Sequence, residues 1–346
     1  MNEGEAADAY WNYYRQGNAQ RDRGRYEEAL NYYSQALACQ PNDYWALYQR
    51  GICLDELGRY SDAVASYEKA LEIRPDDYWT WYARAVSLQQ WGRHQQALAS
   101  YDKALEIRPE DYWAWYNRGC VALYDAKDYQ QALATFDKIL ELRRGDYWVW
   151  LRRSEALQKI GRHEDALASY DEALQRKPRS GWAWYGRGKV LDRLEAWEDA
   201  VASYDKALKY ADSPGIIWYD RGIALTELER YTEALASFDK AVEFNPANYW
   251  GWYQRGQLFS ELGRHEEALA SYSQALACQP NWDSWGVEYR PLASWVWYER
   301  GEVLRQLNRY QEALASFEKA LEIKPDDSDA QKSFAFCQAE LGKIQR

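Results

Sequence analysis

Tyr78–Asp111 reads YWTWYARAVSLQQWGRHQQALASYDKALEIRPED, and nearly the same string starts again at Tyr44 and Tyr112. The starts are 34 residues apart. A fixed period of about 20–50 residues marks a solenoid whose units bury their apolar faces only against neighbours. Numbering every unit from the residue equivalent to Tyr78 gives nine starts: Tyr10, Tyr44, Tyr78, Tyr112, Tyr147, Gly181, Gly215, Tyr249 and Ser294. The repeats thus cover 10–327, with a lead-in over 1–9 and a tail over 328–346. Repeat four carries one extra residue near Tyr124–Asp128, and an extra segment, 283–293, separates repeats eight and nine.

Within a unit, positions 4, 8 and 11 (Trp115, Gly119 and Ala122 in repeat four) fall on one helical stripe. Positions 20, 24, 27 and 28 (Ala97, Tyr101, Ala104 and Leu105) form a stripe on a second helix, so each unit is expected to be a helical hairpin. Gly24, Gly58, Gly92, Gly161 and Gly263 stand where the first helix must close in a left-handed turn. A proline at position 32 ends the second helix, and Asp43, Asp77, Asp111, Asp146 or Asp327 can cap the next. Repeat four has Arg144 and repeat six Asp212 at the proline position. Position 7 is arginine in most units, and pairing with the acid at position 25, such as Asp102, Asp171 or Asp239, is the expected use.

An aromatic at 4, Gly at 8, Tyr or His at 17, Ala at 20, Tyr or Phe at 24, Ala at 27 and Pro at 32 closely resemble the tetratricopeptide repeat. The wording YNRG and ALASYDKALEI resembles tandem arrays of this repeat common in cyanobacterial proteins. The resemblance implies an all-α fold, a right-handed superhelical α-solenoid of nine hairpins. The segment from Ser328 through Phe334, Phe336 and Leu341 is expected to be a capping helix over the last repeat.

A formal net charge of −11 and an isoelectric point near 5.0 argue against nucleic-acid or anionic-membrane partners, which require a basic surface. No stretch is apolar enough to insert in a membrane and the start has no signal-like pattern, so a soluble, cytoplasmic protein is expected. Cys39, Cys53, Cys120, Cys278 and Cys337 show no metal-ligand spacing, and no metal or cofactor is expected. Cys39 and Cys278 share a position with Ile73, Ile107 and Ile323, which suggests buried thiols. His94, His163 and His265 all take position 17, a packing site, and phosphate-loop, nucleophile-elbow and zinc-hydrolase strings are absent, so no catalysis is expected.

The aromatic content carries the functional signal. Position 2 is Trp11, Trp45, Trp79, Trp113, Trp148, Trp182, Trp250 and Trp295; position 5 is Tyr14, Tyr48, Tyr82, Tyr116, Tyr185, Tyr219, Tyr253 and Tyr298. At about 100° per residue these lie away from the 4/8/11 stripe and form a second ladder. The resemblance implies that positions 2, 5, 6, 9, 12 and 13 line a concave groove for peptides. The family's clamp for a chaperone C-terminal carboxylate uses lysines at 2 and 5, so that partner is not expected here. The ladder either braces adjacent helices or binds a ligand. A non-catalytic scaffold holding a peptide segment of another protein is the leading expectation, with carbohydrate or another small ligand stacked on the rings as the alternative. Oligomeric state is left open.

Two further features bear on the ligand. Arg152, Lys159, Lys189 and Arg193 make the groove positions of repeats five and six basic, with Glu155 and Asp192 as offsets. Asp220, Glu227, Glu261, Glu299 and Glu302 make those of repeats seven to nine acidic. An elongated partner is expected to carry the opposite charges in that order. The extra segment 283–293, with Trp285 and Tyr289, is a candidate contact loop.

Overall fold

A computed structural model of the chain describes residues 3–142, 146–278 and 290–344, which fall into two units, Met1–Arg176 and Lys177–Arg346. Among the described residues there are nineteen α-helices and no strand. The first unit holds α1 (Glu3–Arg21), α2 (Tyr26–Cys39), α3 (Tyr44–Glu56), α4 (Tyr60–Ile73), α5 (Tyr78–Gln90), α6 (His94–Ile107), α7 (Tyr112–Cys120), α8 (Tyr129–Leu142), α9 (Tyr147–Ile160) and α10 (His163–Arg176). The second holds α11 (Gly181–Arg193), α12 (Trp197–Leu208), α13 (Gly215–Glu227), α14 (Tyr231–Phe244), α15 (Tyr249–Glu261), α16 (His265–Ala277), α17 (Arg290–Gln306), α18 (Tyr310–Ile323) and α19 (Ser328–Ile344). Inside each unit every helix packs on the next in sequence, an all-α solenoid of hairpins. Arg144, Trp285 and Tyr289 lie outside the described residues.

Each hairpin closes on one contact. A Cβ added to Gly51 would lie 2.4 Å from the Tyr67 ring; on Gly188 it would lie 2.5 Å from Tyr204, and on Gly256 2.7 Å from Tyr272. Position 8 therefore has to be small for the odd-numbered helix to lie on the fully buried position-24 ring. Repeat three has Ala85 there, and its Tyr101 ring meets Tyr82 at 80°, against 54° for Tyr67 with Tyr48. In repeats one, two and six the position-24 tyrosine donates its hydroxyl to a polar side chain late in the partner helix: Tyr33 to Asn18 at 2.7 Å, Tyr67 to Asp55 at 2.7 Å, Tyr204 to Asp192. Repeats seven and nine pair Phe238 and Phe317 with Thr226 and Arg305 at position 12 instead.

The buried stripe of the odd helices differs from the 4/8/11 expectation. In α3 the buried residues include Ala46, Gly51, Cys53 and Leu54, so positions 3 and 10 belong to the core. The position-4 tryptophans are half-buried and serve another purpose. The indole N–H of Trp81 donates to the Pro75 carbonyl at 2.7 Å, Trp115 to Pro109 at 2.8 Å, Trp184 to Pro178 at 2.9 Å and Trp252 to Pro246 at 3.0 Å. These rings clasp the carbonyl at the end of the preceding repeat, which no helical bond satisfies.

The arginine ladder is structural. Arg118 donates to Asp102 at 2.6 Å and to Thr135 at 2.6 Å; Arg255 donates to Asp239 at 2.6 Å and to Ser271 at 2.7 Å. Its guanidinium stacks over the position-4 indole, 5.5 Å from the ring centre for Arg255 on Trp252. Cys39 and Cys278 are half-buried, and Ile73 is exposed, so position 30 is not a core site. The capping helix α19 packs on α18 through Ala330 and Cys337, both buried, while Phe336 stays largely exposed against Tyr310.

Repeat four absorbs its extra residue as a π-helical turn. Val121–Asp125 continues α7, and the Ala126 N–H donates to the Val121 carbonyl, five residues back, at 2.8 Å. At position 15, Gly58 and Gly263 adopt φ of 71° and 70°, while Glu195, Glu229 and Asn308 are forced into the same region at 57°, 56° and 58°. A side chain pays roughly 1 kcal/mol there that glycine does not. Glu229→Gly is thus expected to raise stability by about 1 kcal/mol, read as a higher urea midpoint; an unchanged or lower midpoint would show the strain is absorbed elsewhere.

Candidate functional site

The odd-numbered helices sit side by side inside each unit, α3 beside α5 and α11 beside α13 beside α15 beside α17. Asp77, Asp111 and Asp146 cap three of them, Asp77 accepting from the Thr80 N–H at 2.7 Å. The cap fixes positions 1 and 2 in the first turn. Tyr44, Tyr78 and Tyr249 at position 1 point inward and are buried. The next side chain must then face outward. Trp11, Trp45, Trp79, Trp113, Trp148 and Trp295 are between 48% and 62% exposed, and Trp182 is 78% exposed. Trp250 is half-buried.

Where position 1 is tyrosine the indole is held edge-on by that neighbour, Trp45 by Tyr44 at 5.0 Å and 76°, Trp79 by Tyr78 at 5.0 Å and 78°. Trp113 also meets Tyr116, one turn on, at 6.2 Å and 83°. In repeats two and three the chain's own arginine lies over the pair: Arg74 is 4.2 Å from the Tyr44 ring centre and 5.2 Å from that of Trp45, and Arg108 stands at 4.4 and 5.3 Å from Tyr78 and Trp79.

The position-5 tyrosines behave differently. Tyr14, Tyr48, Tyr82, Tyr116, Tyr185, Tyr219, Tyr253 and Tyr298 are half-buried, with rings against the position-24 ring, 5.9 Å for Tyr14 on Tyr33 and 6.1 Å for Tyr253 on Tyr272. They brace the hairpin from outside. Some reach the next repeat: the Tyr82 hydroxyl accepts from Asn117 at 2.6 Å, and the Tyr185 hydroxyl donates to Asp220 at 2.7 Å.

The basic residues of the middle repeats are engaged within the chain. Arg152 donates to Glu155 at 2.8 Å beneath the Tyr124 ring, 5.3 Å from its centre, and Tyr124 donates its hydroxyl to Glu155 as well. The π-helical turn presents Tyr124 on this face, a residue whose role was signalled only by the one-residue excess. Lys189 pairs with the buried Asp220 at 3.2 Å, and Arg193 is exposed. Two of the cations invoked for an acidic partner therefore already have carboxylates. In repeats eight and nine the Glu299 carboxyl is pushed above the usual range by burial and by Glu302 and Glu261 beside it. Among the described residues no helix is long and apolar enough to cross a membrane, and no His, Cys, Asp and Glu cluster is arranged to hold a metal.

Tetratricopeptide-repeat family models match residues 14–78, 151–215, 197–251 and 219–282 in one form, 78–111 and 294–327 in a second, and 123–168 and 100–134 in two others. The chain is a tetratricopeptide repeat protein. Solved structures similar to it include a tetratricopeptide repeat protein from Parabacteroides merdae, 21% identical with a TM-score of 0.51, over 69% of this chain and 94% of that one. YrrB, described as having an unusual peptide-binding site, is 27% identical with a TM-score of 0.48, over 57% of this chain and 96% of its own. MamA is 18% identical with a TM-score of 0.43, over 44% and 90%. No curated protein matches the chain. A tetratricopeptide repeat array is a scaffold for binding other proteins or peptides.

Asp192 tests the electrostatics of this face. Burial pushes its carboxyl up to about 6, and Asp220 pushes the same way. An acid raised in the folded state stabilises the fold fully below its unfolded value of about 4. That contribution is lost as pH rises through about 6. Asp192→Asn keeps the neutral form and an acceptor for Tyr204. Its thermal midpoint is expected to match wild type near pH 4, to exceed it by a margin that grows as pH rises to about 6, and to keep that margin at higher pH; a gap independent of pH between about 4 and 6 would contradict this.

Proposed function

We propose that within each unit the face carrying the position-2 indoles, Trp11, Trp45, Trp79, Trp113 and Trp148 in the first and Trp182, Trp250 and Trp295 in the second, is a groove that holds an extended segment of a partner protein. The observation that supports the reading is the contrast between adjacent positions. Position-24 rings and the position-1 rings of Tyr10, Tyr44, Tyr78 and Tyr249 are buried, whereas seven position-2 indoles keep about half or more of their surface in water. Packing alone would turn such rings inward, since burying apolar surface is worth about 25 cal/mol per Å². Indoles fixed edge-on before a ligand arrives lose little freedom on binding, which favours them as anchors.

Spacing from repeat to repeat suits a partner in extended form, with aliphatic or proline side chains on the indoles and polar groups toward the tyrosine hydroxyls. Glu299, Glu302 and Glu261 favour basic partner residues over repeats eight and nine, because a cation there would relieve the crowding of carboxylates.

A random peptide library displayed on phage, panned against the chain beside a glycan array, tests the class of ligand. Peptides are expected to enrich. Trp79→Ala combined with Trp113→Ala is expected to weaken a selected peptide by roughly 2–4 kcal/mol with the helical content unchanged. Loss of thermal stability without selective loss of binding would make the indoles braces, and binding confined to glycans would move the face to the carbohydrate reading.

A further inference from the structure

Repeat six departs from the others at three linked positions. Helix α12 stops at Leu208, whereas α4 and α6 run on to position 30, and the chain then turns through Tyr210, Ala211, Asp212 and Ser213. That path brings backbone against the start of α11: a Cβ on Gly181 would lie 3.0 Å from the Tyr210 carbonyl oxygen, so a tyrosine there would crowd the turn. Position 31, arginine in repeats two and three, is Ala211. The ring and the guanidinium that cover the position-2 indole in repeats two and three are both missing here.

A cavity of about 330 Å³ results, lined by Trp182, Tyr185, Tyr210, Asp212, Ile216 and Ile217 among others. Trp182 is the most exposed large apolar residue of the described chain, and Ile216 is 52% exposed. The volume lies at the small end of ligand sites, which run from about 300 Å³, and suits one long side chain.

We propose that this cavity takes the guanidinium of a partner's arginine. The chain itself provides the reference for the occupant, because Arg74 and Arg108 lie 5.2 and 5.3 Å from the centres of Trp45 and Trp79, the indoles equivalent to Trp182 in repeats two and three. Three aromatic rings supply the faces that attract a delocalised cation, and the Asp212 carboxylate supplies the opposite charge. Lys209, the nearest basic residue in sequence, is not part of the lining. Among the described residues no cation of the chain stands over Trp182. The inference deepens the peptide-groove reading and rests on it for the peptide context, but the cavity can be tested with an isolated side chain.

The test titrates Nα-acetyl-arginine amide and its citrulline analogue, equal in shape and uncharged, into ¹⁵N-labelled protein. The indole N–H signal of Trp182 is identified by its loss in Trp182→Leu, whose remaining indole signals report that the fold is intact. Arginine amide is expected to shift the Trp182 signal with millimolar affinity, about 5- to 30-fold tighter than the citrulline analogue, and Asp212→Asn is expected to narrow that difference. Equal affinity for the two compounds, or a Trp182 signal that neither compound moves, overturns the proposal. Either result leaves the library selection and the Trp79/Trp113 variant free to stand or fall separately.

Discussion

The approach of a glycine backbone to a buried ring is the contact on which the hairpins depend. With Gly51 against Tyr67, or Gly256 against Tyr272, two helices come close enough that no Cβ fits between them. The buried ring meets the glycine on one side and the position-5 tyrosine as well, at 5.9 Å and 54° for Tyr48 on Tyr67. Tyr48 in turn stacks on Tyr44 at 6.1 Å, and Tyr44 holds Trp45 edge-on at 5.0 Å. The most buried and the most exposed aromatic groups of a repeat are thereby connected through one series of rings. Orientation of the outer indole is inherited from the core rather than from flexible surface chemistry.

Polar groups fix the same geometry from the other side. The position-7 arginine links a helix to the hydroxyl at position 23 of its own hairpin and to the acid at position 25 of the preceding one, as Arg221 does with Ser237 at 2.6 Å and Asp205 at 2.8 Å. In repeats three, four, six and eight the position-4 indole joins the carbonyl of the preceding turn. Within each of the two units such repeats have both an apolar and a hydrogen-bonded attachment to the preceding one, and departures stay local. The π-helical turn of repeat four and the shortened α12 of repeat six change the face without changing the hairpins around them.

Much of this was legible from the period. Gly at position 15, Asp before the first helix and Pro at position 32 mark ends that follow from backbone chemistry alone, and Arg118–Asp102 could be paired because both recur in register. The core stripe was less accessible. A periodicity of about 100° per residue defines the width of an apolar face but not which edge turns inward, so Trp81 looked like core and Thr80, fully buried, did not. The hydroxyl at position 23 recurs from Ser66 to Ser316, but only the arginine opposite reveals its use. The cavity of repeat six depends on three substitutions, Gly181, Ala211 and Asp212, whose joint effect appears once the loop path is known. Similarly, neither Lys189 nor Arg152 could be seen to be paired before Asp220 and Glu155 were placed beside them.

The central claim is that the outward indoles, not the inward clasps, meet the partner. Fluorine NMR of the chain labelled with 5-fluorotryptophan reads every indole separately, with a selected peptide as the titrant. The account predicts shifts at position-2 residues such as Trp45, Trp79 and Trp113, with Trp81, Trp115 and Trp252, bonded to backbone carbonyls, left in place. Shifts confined to the position-4 indoles, with the position-2 signals unmoved at saturation, would contradict it.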